Sequence, residues 1–237
     1  MCNALMPLYL IPVPLADQTA EQVLPAQISA AVANLDVFFV ENLRTARRFI
    51  SGLKLGKVID DLTFFELNKD TPEAQTLAQL TAIYQNGQSA GVLSEAGCPG
   101  IADPGAVAVK IAHQLGLEVV PLVGPSSILL ALMASGMSGQ SFVFHGYLPI
   151  DRQQRATALR KLEKEVAARQ QTQIFIETPY RNQQLFEDLL QTCAPNTRLC
   201  VACNLTAPDG FVKTMAVRAW QNLQINLHKK PTIFLIG

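Results

Sequence analysis

Short apolar runs alternate with helix-like segments along the first half of the chain. Runs such as Val37–Val40 and Ala90–Leu93 have the length of buried strands, and the segments between them combine helical spacing with capping residues. This strand–helix order repeats as far as Gly136. It predicts a mostly parallel sheet with helices on both faces.

The second half has fewer helices for each strand, which predicts a mixed sheet, and the stretch 121–125 is the candidate junction. We therefore expect two α/β domains, residues 1–122 and 123–237. The predicted strands cover residues 8–14, 37–40, 63–67, 90–93, 118–123, 142–145, 173–177, 198–204 and 232–236. The predicted helices cover residues 17–33, 45–51, 72–85 with Thr71 as N-cap, 104–115, about 126–136, 151–169 and 181–191.

The composition excludes several classes of protein. Hydrophobic residues make up 49% of the chain and charged residues only 16%, a balance that excludes disorder over most of its length. The 19 basic and 19 acidic residues cancel, so a broad basic face for nucleic acid is not expected. No apolar run approaches the ~18 residues of a membrane helix, and the start lacks the pattern of a signal peptide.

The cysteines predict reduced thiols and a cytoplasmic protein rather than a disulfide framework or a metal site. Cys200 and Cys203 have CxxC spacing, but in a strand they would point to opposite faces. His113, His145 and His228 are scattered, so neither a metal site nor a catalytic triad is expected. The five cysteines are Cys2, Cys98, Cys193, Cys200 and Cys203.

The candidate chemistry lies where the predicted strands end. The segment 94–105 follows a strand and holds three glycines and two prolines in twelve residues, which is typical of a loop shaped around a ligand. Gly124-Pro125-Ser126-Ser127 follows another strand and opens a helix. No GxGxxG, GxxxxGK[ST] or GxSxG motif is present, so dinucleotide, P-loop and hydrolase sites are disfavoured.

Four segments together resemble the tetrapyrrole-methylase superfamily of S-adenosylmethionine-dependent methyltransferases. They are LSEAGCPGIADPG, PLVGPSSILLALMASG, FVFHGYLP and IFIETPYR. Within that superfamily the chain resembles the enzymes that methylate a cytidine ribose 2′-hydroxyl in small-subunit ribosomal RNA. The resemblance implies S-adenosylmethionine as cofactor, bound in a cleft between two α/β domains, and a homodimer without metal or membrane.

The resemblance also implies which residues line the cofactor cleft. They are Pro12, Ser94, Glu95, Ala96, Gly97, Pro99, Gly124, Pro125, Ser126, Ser127, Gly146, Tyr147, Leu148, Thr178, Pro179, Asn204, Leu205, Thr206, Pro231 and Thr232. Methyl transfer to a hydroxyl is helped by a base. Glu95 is the candidate catalytic residue by its position in the loop, and Glu41 and Glu177 are the other carboxylates at strand ends.

The chain departs from the ribosomal RNA branch where that branch carries charges. Asn204-Leu205-Thr206-Ala207 stands where the branch has ELTK, and Lys230-Pro231-Thr232 where it has KGE. Two hypotheses follow: a methyltransferase acting on ribosomal RNA, or a cofactor-binding family member with another acceptor, such as a tetrapyrrole, or with no transfer activity. For RNA contact, the candidate cations are Arg44, Arg47 and Arg48 on one helix, and Arg152 and Arg155 on another.

Overall fold

The structure is a computed structural model that describes residues 6–237. The chain divides into two compact units, of which the first ends at Pro125 and the second comprises Ser126–Gly237. The predicted boundary lies after residue 122. Cys2 lies outside the described residues.

The first unit alternates strands and helices throughout. Its strands are β1 (Leu8–Ile11), β2 (Val37–Val40), β3 (Thr63–Glu66), β4 (Ala90–Leu93) and β5 (Val119–Pro121). Its helices are α1 (Ala20–Val23), α2 (Ala26–Ala33), α3 (Leu43–Gly52), α4 (Glu73–Gln85) and α5 (Gly105–Gln114), with a 3-10 turn at Ile59–Asp61.

All five strands of the first unit are parallel, in the order β3-β2-β4-β1-β5. Neighbouring residues of β2 point to opposite faces: Phe38 packs with Ile28 and Ile50 from α2 and α3, and Phe39 packs with residues of α4 and α5. Helices therefore cover both faces, which confirms the predicted architecture. Because every strand runs the same way, all the carboxyl ends lie along one edge.

The second unit is a mixed sheet, also as predicted. Its helices are α6 (Ser127–Ser135), α7 (Arg152–Arg169), α8 (Asn182–Thr192) and α9 (Val217–Trp220). Its strands are β6 (Phe142–Tyr147), β7 (Thr172–Ile176), β8 (Arg198–Cys203), β9 (Phe211–Ala216) and β10 (Thr232–Ile236), in the order β6-β7-β10-β8-β9. Only β6 and β7 pair in parallel.

The two faces of the second sheet have separate cores. Helices α7, α8 and α9 cover one face, and α6 covers the other. Cys200 lies in the core under α6, and Cys203 lies in the opposite core. The predicted opposite orientation of these two thiols is confirmed, and Cys98, Cys193, Cys200 and Cys203 are all free.

The structure differs from the sequence prediction at four elements. The helix predicted over 17–33 is broken, because Leu24 is extended before Pro25 and separates α1 from α2. Thr71 does not cap α4; its hydroxyl instead hydrogen-bonds within the turn formed by residues 66–71. Strand β9 and the short α9 were not predicted.

No helix within residues 6–237 is both long and apolar enough to cross a bilayer.

Candidate functional site

The ends of β1 and β4 are joined beyond the sheet. The Val13 amide donates to the Gly97 carbonyl at 3.0 Å, and the Gly97 amide donates to the Val13 carbonyl at 3.1 Å. Gly97 has φ +77°, a conformation that other residues adopt at a cost. The loop after β4 is thereby fixed against the turn after β1.

The loop after β4 also meets the end of the first unit. The Cys98 thiol lies 3.4 Å from the Pro125 carbonyl oxygen, to which it donates, and the Ser94 hydroxyl donates to the Gly97 carbonyl at 3.1 Å. A Cβ at Gly124 would overlap the ring of Pro12. The first unit therefore brings together predicted site residues from three strand ends: Pro12, Ser94, Gly97, Gly124 and Pro125.

Three carboxylates lie along this edge. Burial raises the pKa of Glu41, and the charges of Glu95 and Asp103 raise it further, although the Glu95 amide donates to its carboxylate. Burial also raises the pKa of Asp103, against the effect of the Gly100 and Gly105 amides that donate to it at 2.6 and 2.8 Å. The Glu95 side chain itself is exposed. Glu41 and Asp103 are thus the two carboxyl groups of this set whose pKa values are raised.

An open pocket of about 710 Å³ adjoins these carboxylates at the ends of β2 and β3. Glu41 and Glu66 line it together with Arg44 and Arg47. Arg47 is paired with Asp60, and Arg48 is paired with Asp17 at 3.3 Å. Two of the three cations of α3 that were predicted to contact RNA therefore already have a carboxylate partner.

In the second unit, three loops meet at the end of the sheet where β7 stops and β10 begins. The Lys229 amide donates to the Pro179 carbonyl at 2.9 Å, and the Asn204 amide donates to the Pro231 carbonyl at 2.9 Å. The buried Asn182 side chain donates to the Lys230 carbonyl at 2.6 Å. Backbone hydrogen bonds therefore join the segments that contain the predicted residues Thr178, Pro179, Asn204–Thr206, Pro231 and Thr232.

The turn after β8 is stabilised by an ion pair that sequence reasoning missed. The Lys230 ammonium donates to Asp209 at 3.0 Å, and the Asn204 amide group donates to both oxygens of the same carboxylate at 3.0 Å. Asn204 and Thr206 have φ of 48° and 70°, which is unusual for side chains with a Cβ. The Thr206 hydroxyl oxygen is buried and has no hydrogen-bond partner within residues 6–237. The Asp209-Gly210 turn signal was the only hint of this arrangement in the sequence.

The loop after β6 is held in place by hydrogen bonds from the buried Arg155 side chain. Arg155 is 1% exposed; its guanidinium pairs with Asp188 and donates to the carbonyls of Pro149 and Ile150 at 3.3 and 2.9 Å. The expectation that Arg155 shares a surface with Arg152 for RNA contact is wrong, because a buried cation paired with a carboxylate cannot reach a phosphate. The loop that Arg155 supports carries Gly146, Tyr147 and Leu148.

Those three residues differ in their exposure. Gly146 has φ +64°, and Tyr147 is 60% exposed, whereas Leu148 belongs to the core under α7 and α8. A ligand at this loop would therefore meet the backbone and Tyr147 rather than the Leu148 side chain.

Glu177, at the end of β7, is committed to an internal ion pair. Burial opposes its ionised form, but the hydrogen bonds from Arg181 at 2.7 Å and from the Thr178 amide at 2.6 Å outweigh burial. The charges of Arg181 and Arg155 act in the same direction, and the pKa of Glu177 is lowered. A carboxylate held in this way is a poor proton acceptor.

The Ser126 hydroxyl accepts from the Leu129 amide at 3.4 Å and caps α6. Ser127 is the first residue of that helix. Within residues 6–237, no group of three or more histidine, cysteine, aspartate or glutamate side chains could hold a metal ion.

The family follows from comparison with known proteins. A family model described as tetrapyrrole (corrin/porphyrin) methylases matches residues 22–218, which include most of the elements described above. The chain belongs to the tetrapyrrole methylase family.

Solved structures show the same fold over almost the whole chain. The methyltransferase CobJ superposes with a TM-score of 0.63 at 17% identity, over 98% of this chain and 92% of its own. Cobalt precorrin-4 methyltransferase, CbiF, superposes with a TM-score of 0.62 at 14% identity, over 100% of this chain and 97% of its own. At such low sequence identities, these similarities show only that this tetrapyrrole methylase has the same fold.

Curated relatives carry the name ribosomal RNA small subunit methyltransferase I. The protein from Buchnera aphidicola subsp. Schizaphis graminum is 27% identical, over 97% of this chain and 77% of its own length. The protein from Escherichia coli O157:H7 is 33% identical over 204 residues, which are 84% of this chain and 65% of that protein. This tetrapyrrole methylase thus spans about two thirds to three quarters of the length of these two relatives.

Proposed function

We propose that the protein is an S-adenosylmethionine-dependent methyltransferase that acts on a ribose 2′-hydroxyl of small-subunit ribosomal RNA. Membership of the tetrapyrrole methylase family and the names of the two curated relatives support the reaction and the substrate. The observation that carries the proposal is the backbone cradle of the first unit, in which Val13 bonds to Gly97 and Gly124 packs on Pro12.

The residues present fit such a cofactor. The cradle is built from backbone groups and from glycine, proline and valine, which suits a ligand that is bound mainly by shape and by backbone hydrogen bonds. In the second unit, the buried Thr206 hydroxyl has no partner within residues 6–237 and is free to hydrogen-bond a ligand. We propose that Pro12, Gly97 and Gly124 of the first unit hold the cofactor.

When bound, S-adenosylmethionine supplies an electrophilic methyl group, and the chain has to orient the acceptor hydroxyl and accept its proton. Glu95 is the proposed acceptor of that proton, because its carboxylate is exposed in the loop after β4. Glu41 lies next to it, and its pKa is raised first by burial and then by the charge of Glu95. Glu41 is the group to which a proton would pass from Glu95.

A second candidate function is cofactor binding with another acceptor or without transfer. It is favoured by the segment 204–207, where the charges of the ribosomal RNA branch are replaced by Asn204-Leu205-Thr206-Ala207.

The test combines calorimetry with a labelling assay. Purified protein is titrated with S-adenosylhomocysteine and then incubated with methyl-labelled S-adenosylmethionine and undermethylated small ribosomal subunits. Binding with label in ribosomal RNA supports the proposal. A parallel incubation uses a cell extract in place of the subunits. Binding with label only in a fraction other than ribosomal RNA, or with no label in any fraction, supports the second candidate, and an absence of binding overturns both.

We also propose that the protein is a cytoplasmic homodimer. The four described thiols are free, which suits a reducing compartment, and exposed apolar side chains such as Leu129 and Met133 on α6 suit contact with a second copy. Light scattering at micromolar concentration should give twice the monomer mass, and the mass of a single chain would reject the dimer.

A further inference from the structure

Tyr180 stands at the tip of a tight turn that follows β7. The Arg181 amide donates to the Thr178 carbonyl at 2.9 Å, and Pro179 stiffens the turn between them. The phenol ring at the tip is 70% exposed. The turn has a fixed backbone and exposes the Tyr180 ring to solvent.

Two cationic or potentially cationic side chains surround this ring. The Lys229 ammonium lies 5.8 Å from the Tyr180 ring centroid, and the His228 ring lies 6.3 Å from it in an edge-on arrangement. Both side chains are exposed. Lys229 has no ion pair within residues 6–237, whereas the nearby Lys230 is paired with Asp209.

The loop that carries these side chains is held in place at its backbone. The Leu227 amide donates to the Gln183 side chain at 3.1 Å, and the Leu227 side chain is fully buried. The Lys229 amide donates to the Pro179 carbonyl, and the Lys230 carbonyl accepts from Asn182. Lys229 itself has φ +60°, a conformation that a lysine adopts only when its surroundings impose it.

The local charge favours an anionic partner. Glu177 is neutralised by Arg181, and Asp209 is neutralised by Lys230. Lys229, whose ammonium lies over one face of the exposed ring, has no ion pair within residues 6–237. An exposed aromatic face combined with an adjacent cation is the arrangement by which proteins stack an unpaired base and contact its phosphate.

We propose that Tyr180 and Lys229 form a stacking platform for a single-stranded RNA nucleotide, with the base on the Tyr180 ring and its phosphate at Lys229. The His228 ring lies near the Tyr180 ring in a T-shaped arrangement. This inference rests on the proposed function, because it names where the RNA substrate is held. This platform takes the place of Arg47 and Arg48 as the candidate RNA contact, because the guanidinium groups of those two residues are already paired with carboxylates.

The experiment measures RNA affinity separately from catalysis. Fluorescence anisotropy follows the binding of a labelled, short single-stranded oligoribonucleotide to the full chain at several salt concentrations. Tyr180→Ala should weaken binding by roughly ten- to a hundredfold, and Tyr180→Phe should retain it, because stacking needs the ring and not the hydroxyl. Lys229→Gln should reduce the magnitude of the salt slope by about 0.7, as expected for one lost phosphate contact on a single strand.

Matched controls come from the same chain. Tyr84 is also an exposed tyrosine, on α4, and Lys164 is an exposed lysine without an ion pair within residues 6–237, on α7. Tyr84→Ala and Lys164→Gln should leave affinity and salt slope unchanged. The inference is overturned if Tyr180→Ala binds RNA as the unmutated chain does, if the control variants weaken binding equally, or if Tyr180→Ala alters only the oligomeric mass.

The outcome can be separated from that of the proposed function. Calorimetry with S-adenosylhomocysteine should give the same affinity for Tyr180→Ala and for the unmutated chain. If the unmutated chain methylates ribosomal RNA and Tyr180→Ala does so equally well, the platform is rejected and the function stands. If the unmutated chain neither binds the cofactor nor labels RNA, the proposed function fails whatever the binding assay shows.

Discussion

Val13 and Gly97 exchange two backbone hydrogen bonds, at 3.0 and 3.1 Å, although neither residue belongs to a strand of the sheet. This isolated bridge is antiparallel, whereas β1 and β4 pair in parallel, so it is a separate contact beyond the ends of both strands. A chain reversal beyond β4 requires φ +77° at Gly97, and the backbone of Pro125 passes close by. The position of the loop after β4 therefore depends on one residue without a side chain.

Gly97→Ala should destabilise the protein and abolish cofactor binding. A Cβ there would lie 3.2 Å from Leu15 Cδ2 and 3.3 Å from the Pro125 carbonyl oxygen, in addition to a backbone cost of about 1–2 kcal/mol. Gly87→Ala is the matched control, because Gly87 has φ +68° but nothing within 4 Å of a Cβ. Urea unfolding and calorimetry with S-adenosylhomocysteine measure both effects. Equal losses of stability and unchanged binding in the two variants would contradict the prediction.

Asp188→Ala should cost about 3–5 kcal/mol of unfolding free energy, because it leaves the buried Arg155 guanidinium without its carboxylate. Glu165→Gln removes an exposed ion pair with Arg169 one turn away on the same helix and should cost less than about 0.5 kcal/mol. Chemical denaturation of the two variants gives the comparison. A loss for Asp188→Ala as small as that of Glu165→Gln would mean that Arg155 finds another partner.

The ion pair of Glu177 should stabilise the protein only when Glu177 is ionised. Burial opposes the charge, but Arg181 and the Thr178 amide outweigh it and lower the pKa below the ordinary value of about 4.3. The stabilisation is therefore complete above that value and is lost as pH falls through the lower, folded-state pKa. Unfolding midpoints should show Glu177→Gln less stable than the unmutated chain at neutral pH, with the gap closing in acid. A gap that is constant with pH would assign the effect to packing.

Glu41 should show the opposite dependence. Burial, and then the charges of Glu95 and Asp103, raise its pKa, so the ionised carboxylate costs stability above the ordinary glutamate value. Glu41→Gln keeps an acceptor for the Glu95 amide and removes the charge. This variant should be more stable than the unmutated chain at neutral pH and equal to it below about pH 4. Lower stability at neutral pH would show that the carboxylate makes a favourable contact as an anion.

The alternation of apolar runs predicted most of the fold because both sheets bury strands on two faces. Strand β2 is a continuous apolar run whose four residues are all buried, and β4 and β10 share this property. Strand β9, at a sheet edge, escaped prediction because its residues are half-exposed and Lys213 interrupts the apolar pattern. The other edge strands, β3, β5 and β6, were predicted, so the weak apolar pattern of β9 and not its edge position alone explains the miss.

The sequence predicted the site residues that are glycine or proline, but it did not predict the ion pairs around them. Positive φ at Gly97 and the tight packing of Gly124 on Pro12 follow from residue types that are visible in the sequence. The sequence does not reveal the ion-pair partners of Arg155 and Lys230. Asp188 lies 33 residues from Arg155, and Asp209 lies 21 residues from Lys230. Arg181 is only four residues from Glu177, across the turn after β7, but only the structure shows the burial of Glu177 that makes this pair matter.

Trp220 is the one tryptophan of the chain, and it is fully buried in the second unit, where its indole donates to the Leu199 carbonyl at 2.9 Å. Intrinsic tryptophan emission is therefore a spectroscopic reporter of residues 126–237 alone, and it gives no direct signal from the cradle around Gly97. Circular dichroism samples the helices of both units. Recorded together during a single denaturant titration, the two signals would resolve whether the halves of this chain melt in one cooperative step or in two.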